Sequence, residues 1–324
     1  MPSGISTLHL RMIAACFGLA LVTLGFVVGV WAVFAALFAA LAFDAPALLA
    51  LGPAGVTLFL VGVAEYTQQR TVEHFADARP VDPEEAPTLY RTTTRMAAQL
   101  DVPVPTVAVA ERSAPEALVV GYRPEHIHLV LSEGTIDALD TPELEAVIAH
   151  ELAHVANRDA MVMTAVSVPA VLADGLRSRL AAIEKPGWAV VVILPLGLLS
   201  MGVWMTGRAI GARLARVRER AADRVAAEAT GSPAALASAL RTLDREIAAT
   251  PEHDLRAVSE VSTLSILPLT PEEPEKVMLG PDGDIEPAYW RGRVLLHRFE
   301  RWLFTAHPPT PDRVDALAAM ERDE

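Results

Sequence analysis

The chain carries His150-Glu151-Leu152-Ala153-His154 near its middle, and this stretch decides the fold around it. On a helix, two histidines four residues apart project from one face and can hold one metal ion. The glutamate after the first histidine then lies beside the open position of that ion, where it can take a proton from a water molecule. Two imidazoles and a general base are the smallest set of groups that a zinc peptidase needs, so the stretch predicts metal-dependent hydrolysis.

A helix over residues 142–158 is the expected carrier of the two histidines. Thr141-Pro142-Glu143 indicates its start, as an N-cap, a proline in the first position and an acidic first turn. Apolar residues follow at helical spacing, at Leu144, Val147, Ile148 and Leu152. The alternative is a pair of surface histidines on an amphipathic helix, which the apolar run around both histidines disfavours.

A catalytic zinc site needs a third protein ligand, and the best candidate lies well downstream. Glu219 and Asp223 are four residues apart in the arginine-rich segment 216–223, which is expected to be helical. One carboxylate can bind the metal while the other accepts the outer N–H of a ligating histidine and fixes its tautomer. Taken alone, the segment would be an exposed helix with Arg–Glu and Arg–Asp pairs, so its pairing with residues 150–154 decides the interpretation.

Three separated motifs resemble those of one family. They are His-Glu-x-x-His followed by Asn157-Arg158-Asp159, then Glu219-x-x-Ala222-Asp223 after a hydrophobic hairpin, and finally His307-Pro308-Pro309-Thr310 with Arg313. Together they span most of the chain and resemble the HtpX-type membrane zinc metalloproteases, which are relatives of the CAAX prenyl proteases.

The resemblance implies a role for each matching residue. The implied ligands of one Zn2+ ion per subunit are His150, His154 and Glu219. Glu151 would be the catalytic base, Asp223 a carboxylate behind a zinc ligand, and His307 a histidine that helps to stabilise the oxyanion. The alternative for His307 is that it only precedes a helix, because Thr310-Pro311-Asp312 is itself a good N-cap sequence.

One stretch departs from the family pattern. Members commonly carry an Asn-Ala-Phe-like strand before the zinc helix, and this strand lines the substrate groove. In the matching stretch here, residues 115–121, Glu116 replaces the expected asparagine and Leu118 replaces the aromatic residue. The departure leaves the zinc chemistry unchanged and bears on substrate preference.

Composition indicates a membrane protein. Hydrophobic residues make up 52% of the chain although its net charge is −13, so apolar and acidic residues are segregated along the sequence. Uncharged runs cover residues 12–43, 45–64 and 187–207, and each is long enough to cross a bilayer. The first run is too long for the core of a signal peptide, so we expect it to form a retained hairpin with the second.

A fourth span is expected over residues 160–180, although charged residues interrupt this segment. A buried or re-entrant helix is the alternative. His154 and Glu219 must reach one ion, so the chain between them must cross the membrane an even number of times. The run 187–207 supplies one crossing, and the segment before it is the only other apolar stretch in that interval.

The predicted fold class is a mainly α integral membrane protein, with four transmembrane helices and an α+β zincin-like domain. We expect a helix at 83–100 and strands at 106–110, 117–120 and 126–131. The predicted plan is a hairpin over 1–64, a first catalytic part over 65–158, a second hairpin over 159–207 and a second catalytic part over 208–324. A flexible loop is expected at about 250–287, which is dense in Pro, Glu and Asp. Arginines follow the second and last spans, whereas the turn at Asp44 has no cation, so the active site of this multi-pass cell-membrane protein should face the cytoplasm.

The expected function is a membrane-bound zinc endopeptidase that cleaves membrane or misfolded proteins, with the substrate class implied by the resemblance. One alternative is a CAAX-type protease of prenylated C-termini, which needs a larger intramembrane chamber than four spans can enclose. Another is a non-catalytic scaffold, but closed structural metal sites use four protein ligands, usually including cysteine. The protein substrates and the lipid bilayer are therefore the expected partners, while the net charge of −13 disfavours nucleic acid.

Overall fold

The structure is a computed structural model, and it describes residues 3–72, 78–121, 127–250 and 290–323. Its helices are α1 (Ser3–Ala40), α2 (Pro46–Leu49), α3 (Leu51–Val72), α4 (Pro87–Gln99), α5 (Glu133–Ala138), α6 (Thr141–Ala156), α7 (Asp159–Ala181), α8 (Val190–Thr230), α9 (Pro233–Ala249), α10 (Trp290–Phe304) and α11 (Thr310–Asp323). Its strands are β1 (Ala78–Pro80), β2 (Thr106–Ala110), β3 (Ala117–Val120) and β4 (His128–Ser132).

The chain divides into two compact units. Met1–Phe75 and Met161–Leu214 form the first, which we call the helical unit. Ala76–Ala160 and Ala215–Glu324 form the second, which we call the sheet unit. The chain therefore leaves the sheet unit at the start of α7 and returns to it within α8.

The helical unit is built for a lipid environment. Its interior is closed by apolar side chains from four helices, including Phe26 of α1, Val61 of α3, Ala173 of α7 and Val203 of α8. Its outer surface is apolar as well, with large exposed side chains at Phe17, Leu21, Phe59, Leu194 and Leu198. A water-soluble helical bundle would place polar residues on that surface, so the pattern is that of helices in a membrane.

Three helices of the described residues are long and apolar enough to cross a membrane: Ile13–Ala40, Pro46–Val63 and Gly187–Thr230. α6 and α7 pass the same test only as a pair, which bends by 71°, so the number of spans is three or up to four. The mainly helical membrane fold with a small sheet is thus confirmed. Whether α7 crosses the bilayer by itself stays a prediction.

The sheet unit contains a mixed four-stranded sheet in the order β1-β2-β4-β3. β2 and β4 are parallel, and the two outer strands pair antiparallel to them. One face of the sheet, with Val107, Leu129 and Leu131, shares a core with α4, α6, α9 and α11. The sheet thereby fixes the position of α6, the helix that carries the two histidines.

The predicted strands 106–110 and 117–120 have those bounds. The third strand is His128–Ser132 rather than 126–131: Ile127 is not part of it, and residue 126 lies outside the described residues. β1 was not predicted. It is a three-residue edge strand that contains Pro80, which gives no alternating apolar pattern. The predicted loop at about 250–287 falls almost wholly on residues 251–289, which are also outside the described residues.

α8 is a single helix of 41 residues rather than a membrane span followed by a separate helix. The uncharged run ends at Gly207, and beyond it the helix continues with arginines and acidic residues. Ala222, Ala226 and Ala227 on this charged half are buried in the sheet unit. One continuous helix therefore carries both the apolar run and Glu219.

Candidate metal centre

α6 starts at a capping box that fixes its first turn. The carboxylate of Asp140 accepts a hydrogen bond from the backbone N–H of Glu143 at 2.9 Å, and the Glu143 carboxylate accepts one from the backbone N–H of Asp140 at 3.2 Å. The predicted N-cap at Thr141 is therefore wrong, because Asp140 caps the helix and Thr141 is its first residue. Such a cap contributes about 1 kcal/mol. Ser238 of α9 also donates to Glu143 at 2.6 Å, which ties the start of α6 to a neighbouring helix.

The buried face of α6 presents His150, Glu151 and His154 to a common point. His150 is fully buried and Glu151 is 2% exposed. The two imidazole rings are perpendicular, and their Nε2 atoms lie 3.2 Å apart. The helix thus holds both rings in one geometry.

α8 brings the carboxylate of Glu219 to the same point. Its Oε2 lies 3.6 Å from Nε2 of His150, and its Oε1 lies 3.5 Å from Nε2 of His154. One ligand atom can be chosen from each of the three residues so that all lie within 4.8 Å of one another. Sequence motifs separated by more than sixty residues therefore meet in one cluster.

The spacing of these atoms fits a tetrahedral metal ion. With metal–ligand distances of about 2.0–2.1 Å, the edges of a tetrahedron are about 3.4 Å long. The two Nε2 atoms, 3.2 Å apart, are close to that length, and Glu219 places Oε2 3.6 Å from Nε2 of His150 and Oε1 3.5 Å from Nε2 of His154. Among the described residues, Oε2 of Glu219 is a buried oxygen without a hydrogen-bond donor, as expected of an atom reserved for a cation.

Asp223 and Arg313 stand behind His150. Oδ1 of Asp223 lies 3.0 Å from Nδ1 of His150, which turns Nε2 toward the cluster. Arg313 of α11 donates two hydrogen bonds to Asp223, from Nε at 2.9 Å and from Nη2 at 2.6 Å. This bidentate pair is fully buried and holds the carboxylate in place.

A second carboxylate–arginine pair lies behind His154 and was not predicted. Oδ2 of Asp159 lies 2.6 Å from Nδ1 of His154, and Oδ1 of Asp159 lies 2.5 Å from Nη2 of Arg218. Asp159 and Arg218 are both buried. Each histidine is therefore oriented by a carboxylate, and each carboxylate is held by an arginine.

The turn between α6 and α7 explains why Asp159 reaches back to His154. A residue five positions ahead on a continuous helix would point away from the histidine. Arg158 interrupts the helix in the left-handed conformation, with φ of 55°, at a cost of about 1–2 kcal/mol. Asp159 belongs to the motif Asn157-Arg158-Asp159, but helical spacing predicts no contact between Asp159 and His154.

Glu151 has the environment of a proton carrier. Burial raises the pKa of Glu151 to about 7 in the metal-free protein, and the nearby histidines oppose this rise only in part. No donor among the described residues reaches its Oε1. A carboxylate without a fixed partner next to the cluster can accept a proton and release it again.

His150 holds a proton in the metal-free protein. Burial lowers the pKa of His150, but the nearby carboxylates of Asp223 and Glu219 outweigh this effect and raise it to about 9. A metal ion must displace that proton, so its affinity for the cluster should rise as pH is raised toward 9.

His307 lies beside the cluster, at the turn between α10 and α11. The ring is buried, and its Nδ1 lies 3.5 Å from Oε2 of Glu219. Arg216 of α8 donates to the carbonyl oxygen of Thr305 at 2.5 Å, which fixes the chain just before this histidine. His307 also precedes the helix that begins at Thr310, and its assistance to the oxyanion stays a prediction.

Glu116, at the departure from the family pattern, is buried rather than open to a groove. Its Oε2 pairs with Nη1 of Arg112 at 3.2 Å, and its backbone N–H donates to the hydroxyls of Ser132 and Thr135, both at 2.8 Å. Burial raises the pKa of Glu116 against the influence of Arg112. The side chain therefore fixes the loop before β3.

The sequence profile of peptidase family M48 matches residues 83–321, which include all of the cluster and both carboxylate–arginine pairs behind its histidines. The chain belongs to peptidase family M48. The chain is 34% identical to the protease HtpX homolog of Moorella thermoacetica, over 66% of this chain and 75% of the relative. It is 33% identical to protease HtpX homolog 1 of Streptomyces coelicolor, over 83% of this chain and 82% of the relative. A crystal structure of S. mikatae Ste24p aligns with 96% of this chain and 66% of that one, at 17% identity and a TM-score of 0.48.

The M48 match and the HtpX relatives confirm the predicted HtpX-type protease. The chain is a membrane-bound metalloprotease, and its substrates are proteins. Processing of prenylated C-termini and a non-catalytic metal scaffold are not favoured.

The two carboxylates behind the histidines should matter for metal affinity. Asp159→Asn and Asp223→Asn should each weaken zinc binding or turnover by roughly 10–100-fold, because an amide orients an imidazole less firmly. Asp312→Asn is the matched control, since Asp312 is exposed at the start of α11. Zinc titration and a thermal melt of each variant separate this effect from unfolding. Wild-type zinc affinity and turnover in an Asp variant would make that residue purely structural.

Proposed function

We propose that this M48 protease is a zinc-dependent endopeptidase that cleaves membrane or misfolded proteins. His150, His154 and Glu219 would hold one Zn2+ ion, and Glu151 would act as the general base. The convergence of three ligand atoms beside a buried, unpaired glutamate carries this proposal. Three N or O ligands with a non-ligating glutamate describe an open catalytic site rather than a closed structural one.

Bound zinc would supply a Lewis acid and lower the pKa of water at the site. Glu151 takes the proton from the attacking water at its free carboxylate oxygen and later delivers it to the leaving amine. Asp223 and Asp159 keep the Nε2 atoms of the two histidines turned toward the cluster. His307 lies where a ring N–H can donate to the oxyanion of the tetrahedral intermediate.

Reporter proteolysis tests the proposal directly. Unfolded casein is incubated with the full chain in detergent, before chelation, after chelation and after zinc is added back. One equivalent of zinc per chain should restore cleavage. A chelated protein that cleaves casein normally, or a zinc-loaded protein that never cleaves it, would contradict the proposal.

We also propose that the protein lies in the cell membrane with four spans and a cytoplasmic active site. The side chains of His154 and Glu219 lie 3.5 Å apart, so both ends of the hairpin between them must be on one side of the bilayer. α8 crosses once, and α7 is the only described helix between α6 and α8 that could supply the second crossing.

Cysteine labelling tests this topology in a background in which Cys16 is replaced by alanine. A cysteine at Glu184 should react only from outside the cell, whereas cysteines at Ala156 and Glu228 should react only from the cytoplasm. These three positions are exposed in the structure, so failure to react reports the membrane rather than burial. Labelling of position 184 from the cytoplasm would leave a two-span anchor and rule out the four-span arrangement.

A further inference from the structure

α7 carries three charged residues within the helical unit that the proteolytic site does not use, and two of them, Asp174 and Arg177, form an ion pair. Oδ1 of Asp174 accepts hydrogen bonds from Nη2 of Arg177 at 2.5 Å and from Nε at 3.2 Å. Ionisable residues in a membrane helix are rare and need a partner, and they often mark a functional site.

The packing of α7 against α8 sets the depth of this pair. A Cβ atom on Gly207 would lie 3.1 Å from that of Ala170, and one on Gly211 would lie 3.8 Å from a methyl group of Val166. The two helices therefore run antiparallel, with Ala170 level with the end of the uncharged run of α8. Arg177 is seven residues further along α7, about 10 Å along the helix axis from Ala170.

Two guanidinium groups meet at one indole near this depth. Cζ of Arg177 lies 5.3 Å from the ring centroid of Trp204, and Cζ of Arg208 lies 5.8 Å from the same centroid. The side chain of Arg177 thus extends along α8 toward Trp204 and Arg208. α7 and α8 therefore each contribute one arginine to a surface patch formed by Arg177, Trp204 and Arg208.

The patch has a net positive charge and is open to its surroundings. Asp174 neutralises Arg177, while no carboxylate in the described part of the chain pairs with Arg208. The side chains of Arg177 and Asp174 are 38% and 46% exposed on the surface of the helical unit, which is otherwise apolar. In a membrane, this surface faces lipid.

We propose that Arg177, Arg208 and Trp204 bind the phosphate headgroup of an anionic phospholipid, in the leaflet at which α8 leaves the membrane. Guanidinium groups form bidentate hydrogen bonds with phosphate oxygens, and tryptophan favours the level of the headgroups. Basic pockets between membrane helices are a known form of headgroup site. Asp174 occupies Nε and Nη2 of Arg177, which leaves Nη1 to donate to the phosphate. The bound lipid would neutralise the excess charge on the pair of helices.

Lipid selectivity of the full chain in nanodiscs tests this site. Electron paramagnetic resonance of spin-labelled phosphatidylglycerol and phosphatidylcholine gives their relative association constants at the protein surface. We expect a preference for phosphatidylglycerol that falls roughly fivefold in Arg208→Gln, in line with the contribution of one arginine near a lipid surface. Arg213→Gln is the matched control, because Arg213 is an exposed arginine further along α8.

A second variant guards against misfolding. Asp174→Asn combined with Arg177→Gln removes the ion pair without leaving a single charge, and it should lower the preference as Arg208→Gln does. An unchanged preference in both variants would overturn the site, and so would an equal loss in Arg213→Gln, which would indicate diffuse attraction. Competition by soluble glycerophosphate would show that the patch binds free phosphate esters instead. None of these outcomes depends on the metal centre, since no proteolysis is measured.

Discussion

Glu151→Gln is expected to keep its metal and to lose turnover by roughly 10²–10⁴-fold, the usual contribution of a positioned general base. The amide has the size of the carboxylate and fits the same buried position, but it cannot take a proton. The ligand atoms of His150, His154 and Glu219 are untouched by the change. Cleavage of unfolded casein and zinc content per chain are the two measurements.

Glu228→Gln is the matched control, because Glu228 is an exposed glutamate of α8 that lies outside the cluster. It should retain both zinc and turnover. A Glu151→Gln protein with a full equivalent of zinc and near wild-type cleavage would remove Glu151 from the role of base. Loss of zinc in this variant would instead indicate that Glu151 is itself a ligand.

Local rules predicted α6 and its histidines well. Asp140, Thr141 and Pro142 can each stand at the start of a helix, so the sequence located the start to within one residue and chose the wrong cap. The apolar face of α6 was easier to predict, because the spacing of Val147, Ile148 and Leu152 allows one orientation of the helix against a sheet.

Contacts between distant segments depended on motifs rather than on spacing. Helical spacing placed Glu219 and Asp223 on one face, and the need for a third zinc ligand, together with the family resemblance, associated that face with the two histidines. Spacing predicts no partner for Arg218, because its partner is Asp159, at the start of another helix. That contact requires the left-handed conformation of Arg158, which no periodic pattern indicates.

Removal of Glu219 should have a different effect from removal of the base. Glu219→Ala is expected to lose zinc and cleavage together, because two imidazoles alone do not complete a catalytic zinc site. Glu228→Ala serves as the control for the same change on an exposed part of α8. Zinc content after gel filtration and casein cleavage are the measurements, and a full equivalent of zinc in Glu219→Ala would move the third ligand elsewhere.

A further variant separates loss of the ligand from loss of the fold. Glu219 is buried, with Nη1 of Arg313 at 3.7 Å and Nδ1 of His307 at 3.5 Å, so alanine leaves two polar groups beside a cavity and also destabilises the sheet unit. Glu219→His supplies a nitrogen ligand of suitable chemistry and should recover part of the zinc content that Glu219→Ala loses. If Glu219→Ala keeps both the wild-type melting temperature of the metal-free protein and a full equivalent of zinc, the carboxylate is not a ligand. Recovery of zinc with little recovery of cleavage is the expected result, because a third imidazole changes the charge of the site while Glu151 remains in place.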